Sequence, residues 1–172
     1  MVLLTFTDES AEKILAGRKC ATTRPLTPHW RRVVDAVARG QSVRLQIYRK
    51  SPRNGGKRLF DEDVEPRRAD AVHGADYDGE MFLKDGFDSS TDLVLRLREF
   101  YGPRFCAECQ RYELGAHFAH MRNNGSPHHK GPELPEEEAA HWFDTSRWAF
   151  IEFPTPVDVR LVAARELEQA SA

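Results

Sequence analysis

Apolar residues recur along the chain in short, clearly bounded patterns. Val2–Phe6 reads as a buried strand. Ala11, Ile14 and Leu15 then fall on one helical face, which predicts a helix over Asp8–Ala16 closed by Gly17. Thr27-Pro28 starts a second helix, with a capping hydroxyl and a proline at the first helical position. Trp30, Val33, Val34 and Val37 give it an i, i+3, i+4, i+7 face, with Trp30 directed to the core, and Gly40 ends it. Val43, Leu45 and Ile47 alternate with Arg44, Gln46 and Tyr48, the period of a half-buried strand. Asn54-Gly55-Gly56 marks a turn, so Lys57–Val64 is predicted to return as a hairpin partner. Residues 65–84 carry weak signals.

Ser89-x-x-Asp92 resembles a capping box. Leu93, Leu97, Phe100 and Tyr101 form the face of the helix behind it, and Gly102-Pro103 stops that helix. Residues 103–146 are polar and His-rich and read as an insertion, with a helix starting after Pro135. Trp148–Phe153 and Val157–Ala163 read as two closing strands. Short strands, several helices and no βαβ rhythm predict a single α+β domain around a small barrel or curved sheet.

The chain has 172 residues, enough to bury a core without staples. Three cysteines are few and odd in number, which points to a reducing, cytoplasmic setting rather than a disulfide scaffold. No apolar run approaches the ~20 residues of a membrane span, and no signal peptide is visible, so no membrane partner is expected. The formal net charge is −2. It is unevenly spread: residues 18–58 hold twelve Lys/Arg and one acid, Asp35. Such asymmetry suggests a polyanionic partner. Arg31, Arg32, Arg39, Arg44 and Arg49 are the predicted basic face, with Tyr48, and secondarily Tyr77, as base-stacking candidates.

Gly17-Arg18-Lys19-Cys20-Ala21-Thr22-Thr23-Arg24 reads G-x-K-x-x-T-x-R just after the first helix. Later come Lys84-Asp85-Gly86-Phe87-Asp88-Ser89, a helix ending Phe100-Tyr101-Gly102, and Phe150-Ile151-Glu152-Phe153. In this order the segments resemble the ASCH domain family, over roughly 1–102 and 147–163. The resemblance implies a small PUA-like β-barrel with flanking helices and RNA or nucleotide binding in a cleft beside Lys19, Thr22 and Arg24. RNA, single-stranded nucleic acid or a nucleoside would be the partner; no protein partner is evident.

Some ASCH proteins resemble amidohydrolases that deacetylate N4-acetylcytidine with a lysine, a threonine three residues on, and a glutamate ahead of the capped helix. Lys19 and Thr22 match. The glutamate position falls on Asp85, with Glu80 nearby as an alternative. Asp is one methylene shorter, roughly 1.5 Å less reach, and misplacement on the order of 1 Å costs about a hundredfold in rate. In this reading Thr22 is the nucleophile and Lys19 its base, the lysine pKa lowered by burial and by Arg18 and Arg24. Strand alternation puts Thr22 and Arg24 on one face and Lys19 on the other unless the chain bends, and Gly17 can supply a bend. A weaker alternative is a ribonuclease using His29 or His73.

Neither activity requires a cofactor. The insertion carries a separate signal: Cys106-x2-Cys109 and His117-x2-His120 have zinc-ligand spacing, with His128, His129 and His141 as spares. A structural zinc there would hold a polar segment together.

Overall fold

The computed structural model describes residues 1–106, 110–113, 131–156 and 158. The fold is mixed α+β. Strand β1 (Val2–Phe6) pairs in parallel with β3 (Leu45–Arg49), and β3 pairs antiparallel with the two-residue β4 (Lys57–Arg58). The long return strand expected over 57–64 is therefore short, with Val64 rejoining only as a bridge to Leu45. A second sheet has the order β2-β8-β5, formed by Ala21–Pro25, Arg147–Glu152 and Arg68–His73, all antiparallel. Strands β6 (Arg104–Cys106) and β7 (Arg111–Glu113) make a separate hairpin. No closed barrel forms among the described residues.

Central strand β8 explains the layering. Trp148, Ala149, Phe150 and Ile151 are all buried, so this run is apolar on both faces. Ala149 and Ile151, with Phe153 beyond the strand, enter a first core with Leu4, Phe6 and Ile47 from the first sheet. Helices α1 (Asp8–Leu15) and α2 (Pro28–Ala38) close it with Ile14, Val33 and Val34, and Trp30 packs against it half-buried. Trp148 and Phe150 enter a second core under α3 (Gly79–Lys84), α4 (Ser90–Tyr101) and α5 (Glu136–Thr145). Ala139 and Phe143 of α5 complete that core. The end of the stretch read as an insertion is thus built into the fold.

Local chemistry sets the helix starts. The side chains of Thr7, Thr27, Asp78 and Ser89 each accept a backbone N–H from the first turn of the helix they precede, contacts worth about 1 kcal/mol apiece. Three glutamates, Glu136, Glu137 and Glu138, sit in the first turn of α5, where the helix dipole favours them. The strand expected over 157–163 lies outside the described residues, apart from Asp158. That residue stands in a helical turn capped by Thr155 and pairs with Arg67. No helix among the described residues is long and apolar enough to cross a membrane.

Candidate active site

The G-x-K-x-x-T-x-R segment runs from the end of α1 into β2. Gly17 takes a left-handed turn at φ 72°, a conformation that favours glycine, and redirects the chain after α1. Cys20 then ties the segment down: its N–H donates to Lys84 O (2.8 Å), and its carbonyl accepts from Phe153 N (2.8 Å). Burial pushes the Cys20 thiol pKa up.

Strand β2 is an edge of its sheet, and its register sorts the side chains. Thr22 lies opposite Ile151, on the first-core face, and Thr23 opposite Phe150, on the second-core face. Lys19 shares the parity of Thr23. Both reach Asp85, the residue just past the C-terminus of α3.

Lys19 and Asp85 are each only 3% exposed. The Lys19 ammonium donates to the Asp85 carboxylate through Oδ1 and to the Asp85 main-chain carbonyl at 2.5 Å. The shorter acidic side chain therefore reaches the lysine, because the end of α3 is brought against it. Gly86 makes this approach possible. At φ 83° it turns the chain, and a Cβ there would sit 3.1 Å from Lys19 Cβ. The rings of Phe6 and Phe87 lie 5.6 and 5.7 Å from Lys19 Nζ, a cation–π environment.

The other carboxylate oxygen, Oδ2, accepts from Thr23 Oγ1 at 2.5 Å, and Thr23 Oγ1 lies 3.0 Å from Tyr77 OH. Burial lowers the Lys19 pKa. Asp85 opposes that shift, while Arg24 and Lys13 add to it. The second cation is thus Lys13, whereas Arg18 is exposed and is not among the causes.

A cleft of about 530 Å³ opens over this pair. Lys19, Thr22, Thr23 and Asp85 form its foot, Phe6, Phe87, Leu93 and Leu97 its apolar wall, and Arg24, Lys50 and Arg96 its cations. The Thr22 hydroxyl makes no hydrogen bond with the described residues. Arg24 donates to the carbonyls of Thr23 (3.1 Å) and Thr5 (3.2 Å), stands over the Phe6 ring, and has no carboxylate partner among the described residues. Lys50 pairs with Asp8 at 2.9 Å, and Arg96 with Glu9 and Glu99.

The cleft thus gathers Lys19, Thr22, Arg24 and Asp85. It does not gather the rest of the predicted basic face. Arg31, Arg32 and Arg39 sit exposed on or just past α2, outside the lining. Arg44 pairs with Glu65 and Arg49 with Glu12, and Tyr48 lies under Arg58. Tyr77 is a core residue at 9% exposure and has no face to offer a base. Glu80 is exposed and pairs with Lys84. His29 packs edge-on against Trp30, and neither it nor His73 lines the cleft.

Of the proposed zinc ligands, Cys106 is buried in β6, while Cys109, His117 and His120 lie outside the described residues, as do His128 and His129. His141 is exposed on α5. No metal-binding group of His, Cys, Asp and Glu forms among the described residues.

Thr23 is the site residue that sequence reasoning missed. The available signal was strand parity: a lysine on the face opposite Thr22 shares its side with Thr23.

Comparison of the chain with family models, with curated proteins and with solved structures finds no match.

Proposed function

We propose that the protein is an ASCH-type domain whose cleft takes a single N4-acylated cytidine nucleoside and hydrolyses its amide. The observation that carries this reading is the pairing at the foot of the cleft. A buried lysine is held on a carboxylate, in a cleft that is also lined by Thr22, whose hydroxyl has no partner among the described residues. Two further features support it. The cleft volume lies in the range of small-molecule sites. Two three-stranded sheets enclosing one core fit an open PUA-like barrel.

The chemistry follows from where the protons are. A lowered pKa gives Lys19 a neutral fraction that can act as a base. Thr22 Oγ1 adds to the acyl carbon, and its proton passes to Lys19 Nζ. Arg24 supplies the cation facing the developing oxyanion. Collapse breaks the C–N bond, Lys19 returns the proton to the N4 amine, and cytidine leaves. Water then cleaves the acetyl ester on Thr22 with Lys19 again taking the proton, restoring the hydroxyl and releasing acetate. Thr23 is not the nucleophile in this reading: its oxygen is engaged by the Tyr77 hydroxyl on the second-core face.

Acetate release from N4-acetylcytidine tests this reading. The wild-type protein should release acetate. Thr22→Ala should lose more than about a hundredfold in rate while keeping ligand affinity, and Lys19→Ala should lose both. A wild-type protein with no release above buffer overturns the hydrolase.

The second reading, RNA or nucleotide binding without turnover, is favoured by Arg24, which carries a cation with no carboxylate partner among the described residues onto the cleft wall. Binding of that kind weakens steeply with salt through counterion release, whereas binding of an uncharged nucleoside does not.

A further inference from the structure

Behind the Lys19–Asp85 pair lie two hydroxyl groups that the hydrolytic steps do not use. Thr23 is 1% exposed and Tyr77 9%. Buried polar oxygens of this kind take their hydrogen-bond partners from inside the protein.

The direction of each proton follows from the inventory of donors. A carboxylate only accepts, so the single proton of Thr23 goes to Asp85 Oδ2. The Thr23 oxygen is then left with lone pairs alone, and the 3.0 Å contact with Tyr77 requires the phenol to donate. Burial raises the Tyr77 pKa, which keeps that proton on the phenol. The result is an ordered row: Tyr77 donates to Thr23, Thr23 donates to Oδ2 of Asp85, and Lys19 donates to Oδ1 of the same carboxylate. The phenol itself is wedged against Phe82, Phe143 and Phe150, so the row has a fixed end in the second core.

We infer that Thr23 and Tyr77 are positioning residues, a donor chain that orients Asp85 and, by drawing charge from its carboxylate, loosens the hold of Asp85 on the Lys19 proton. This deepens the hydrolytic reading and rests on it for its catalytic meaning. Hydrogen bonds in such a row strengthen one another where water is excluded. A carboxylate bonded by two donors attracts a neighbouring ammonium less than one bonded by the ammonium alone. Lys19 therefore gives up its proton at lower pH than it would with Asp85 free of Thr23.

The other groups acting on Lys19 are Arg24 from β2 and Lys13 from α1, besides the rings of Phe6 and Phe87. Those acting on Tyr77 are Thr23, Asp85 and Arg68 from β5. Removing one hydroxyl leaves all of the remaining charges in place.

The test titrates Lys19 directly by the NMR resonance of its side-chain carbon next to Nζ, without substrate. The Lys19 midpoint should move to higher pH in Thr23→Val, move less far in the same direction in Tyr77→Phe, and return to the wild-type position in Thr23→Ser. Should Thr23→Val fail to fold, Tyr77→Phe against wild type decides. A midpoint unchanged in every folded variant overturns the donor chain. The outcome is separable from acetate release. A shifted midpoint in a protein that releases no acetate removes the hydrolase and keeps the donor chain, whereas release with unshifted midpoints does the reverse. Where acetate is released, the acidic limb of kcat/KM should follow the Lys19 midpoint.

Discussion

Lys19 and Arg49 each pair with a carboxylate, and the two pairs differ in almost every other respect. The side chains of Lys19 and Asp85 are both 4% exposed, while those of Arg49 and Glu12 are 32% and 63% exposed. Lys19 is gripped by two oxygens of one residue and flanked by aromatic rings. Arg49 belongs to the arginine-rich part of the chain, where Arg44 and Arg58 also find surface carboxylates. Counting charges directs attention to that stretch. Burial directs it to the lysine, because a charge is removed from water only where its partners are already in place.

The largest expected effect comes from breaking the buried pair. Asp85→Ala strands an ammonium in the interior and should cost about 3–5 kcal/mol in urea denaturation. Replacing both partners, with Lys19→Met and Asp85→Leu together, should recover most of that loss. A cost for Asp85→Ala as small as that of a surface pair would erase the contrast.

Tyr77→Phe comes next. Losing one internal hydrogen bond should cost about 1 kcal/mol. Its pH dependence has a definite sign. The folded-state pKa of Tyr77 is raised above its ordinary value of 10.0, chiefly by burial. Its contribution is therefore whole below pH 10 and lost as pH climbs towards the folded value. Denaturation midpoints of the wild-type protein should fall faster above that pH than those of Tyr77→Phe.

Arg49→Ala should cost no more than about 1 kcal/mol, and less in high salt. Smallest of all, Arg31→Gln, Arg32→Gln and Arg39→Gln should leave the urea midpoint and the affinity for N4-acetylcytidine unchanged. A loss of affinity in these three would extend the site onto α2.

What could be read from the sequence was local. Thr27-Pro28 and the spacing from Trp30 to Val37 carry the whole of α2 within eleven residues, and Ser89 with Asp92 announces α4 in the same way. The candidate site was legible in part, because Lys19, Thr22 and Arg24 are close in sequence. Asp85 came into view only through the family resemblance, and the pairing of Tyr77 with Thr23 not at all. Asp85 lies 66 residues from Lys19, and Tyr77 54 residues from Thr23. Both stand in or next to the stretch 65–84, whose charged and glycine-rich pattern gave weak signals. Its order comes from β5 pairing with β8 and from Met81 and Tyr77 filling the second core. The parallel pairing of β1 with β3 is equally silent in sequence, since some forty residues separate the partners.

The grip on Lys19 comes half from a side chain and half from the peptide backbone. Mutation can replace the carboxylate of residue 85, but its carbonyl oxygen is present whatever amino acid stands there. So long as Gly86 preserves the turn, that oxygen keeps one hydrogen bond to the amine even where the carboxylate is lost. The backbone thus marks the place of the amine, while the side chain at 85 supplies the charge that keeps it stable there. A change at Gly86 would displace the backbone oxygen and the carboxylate at once.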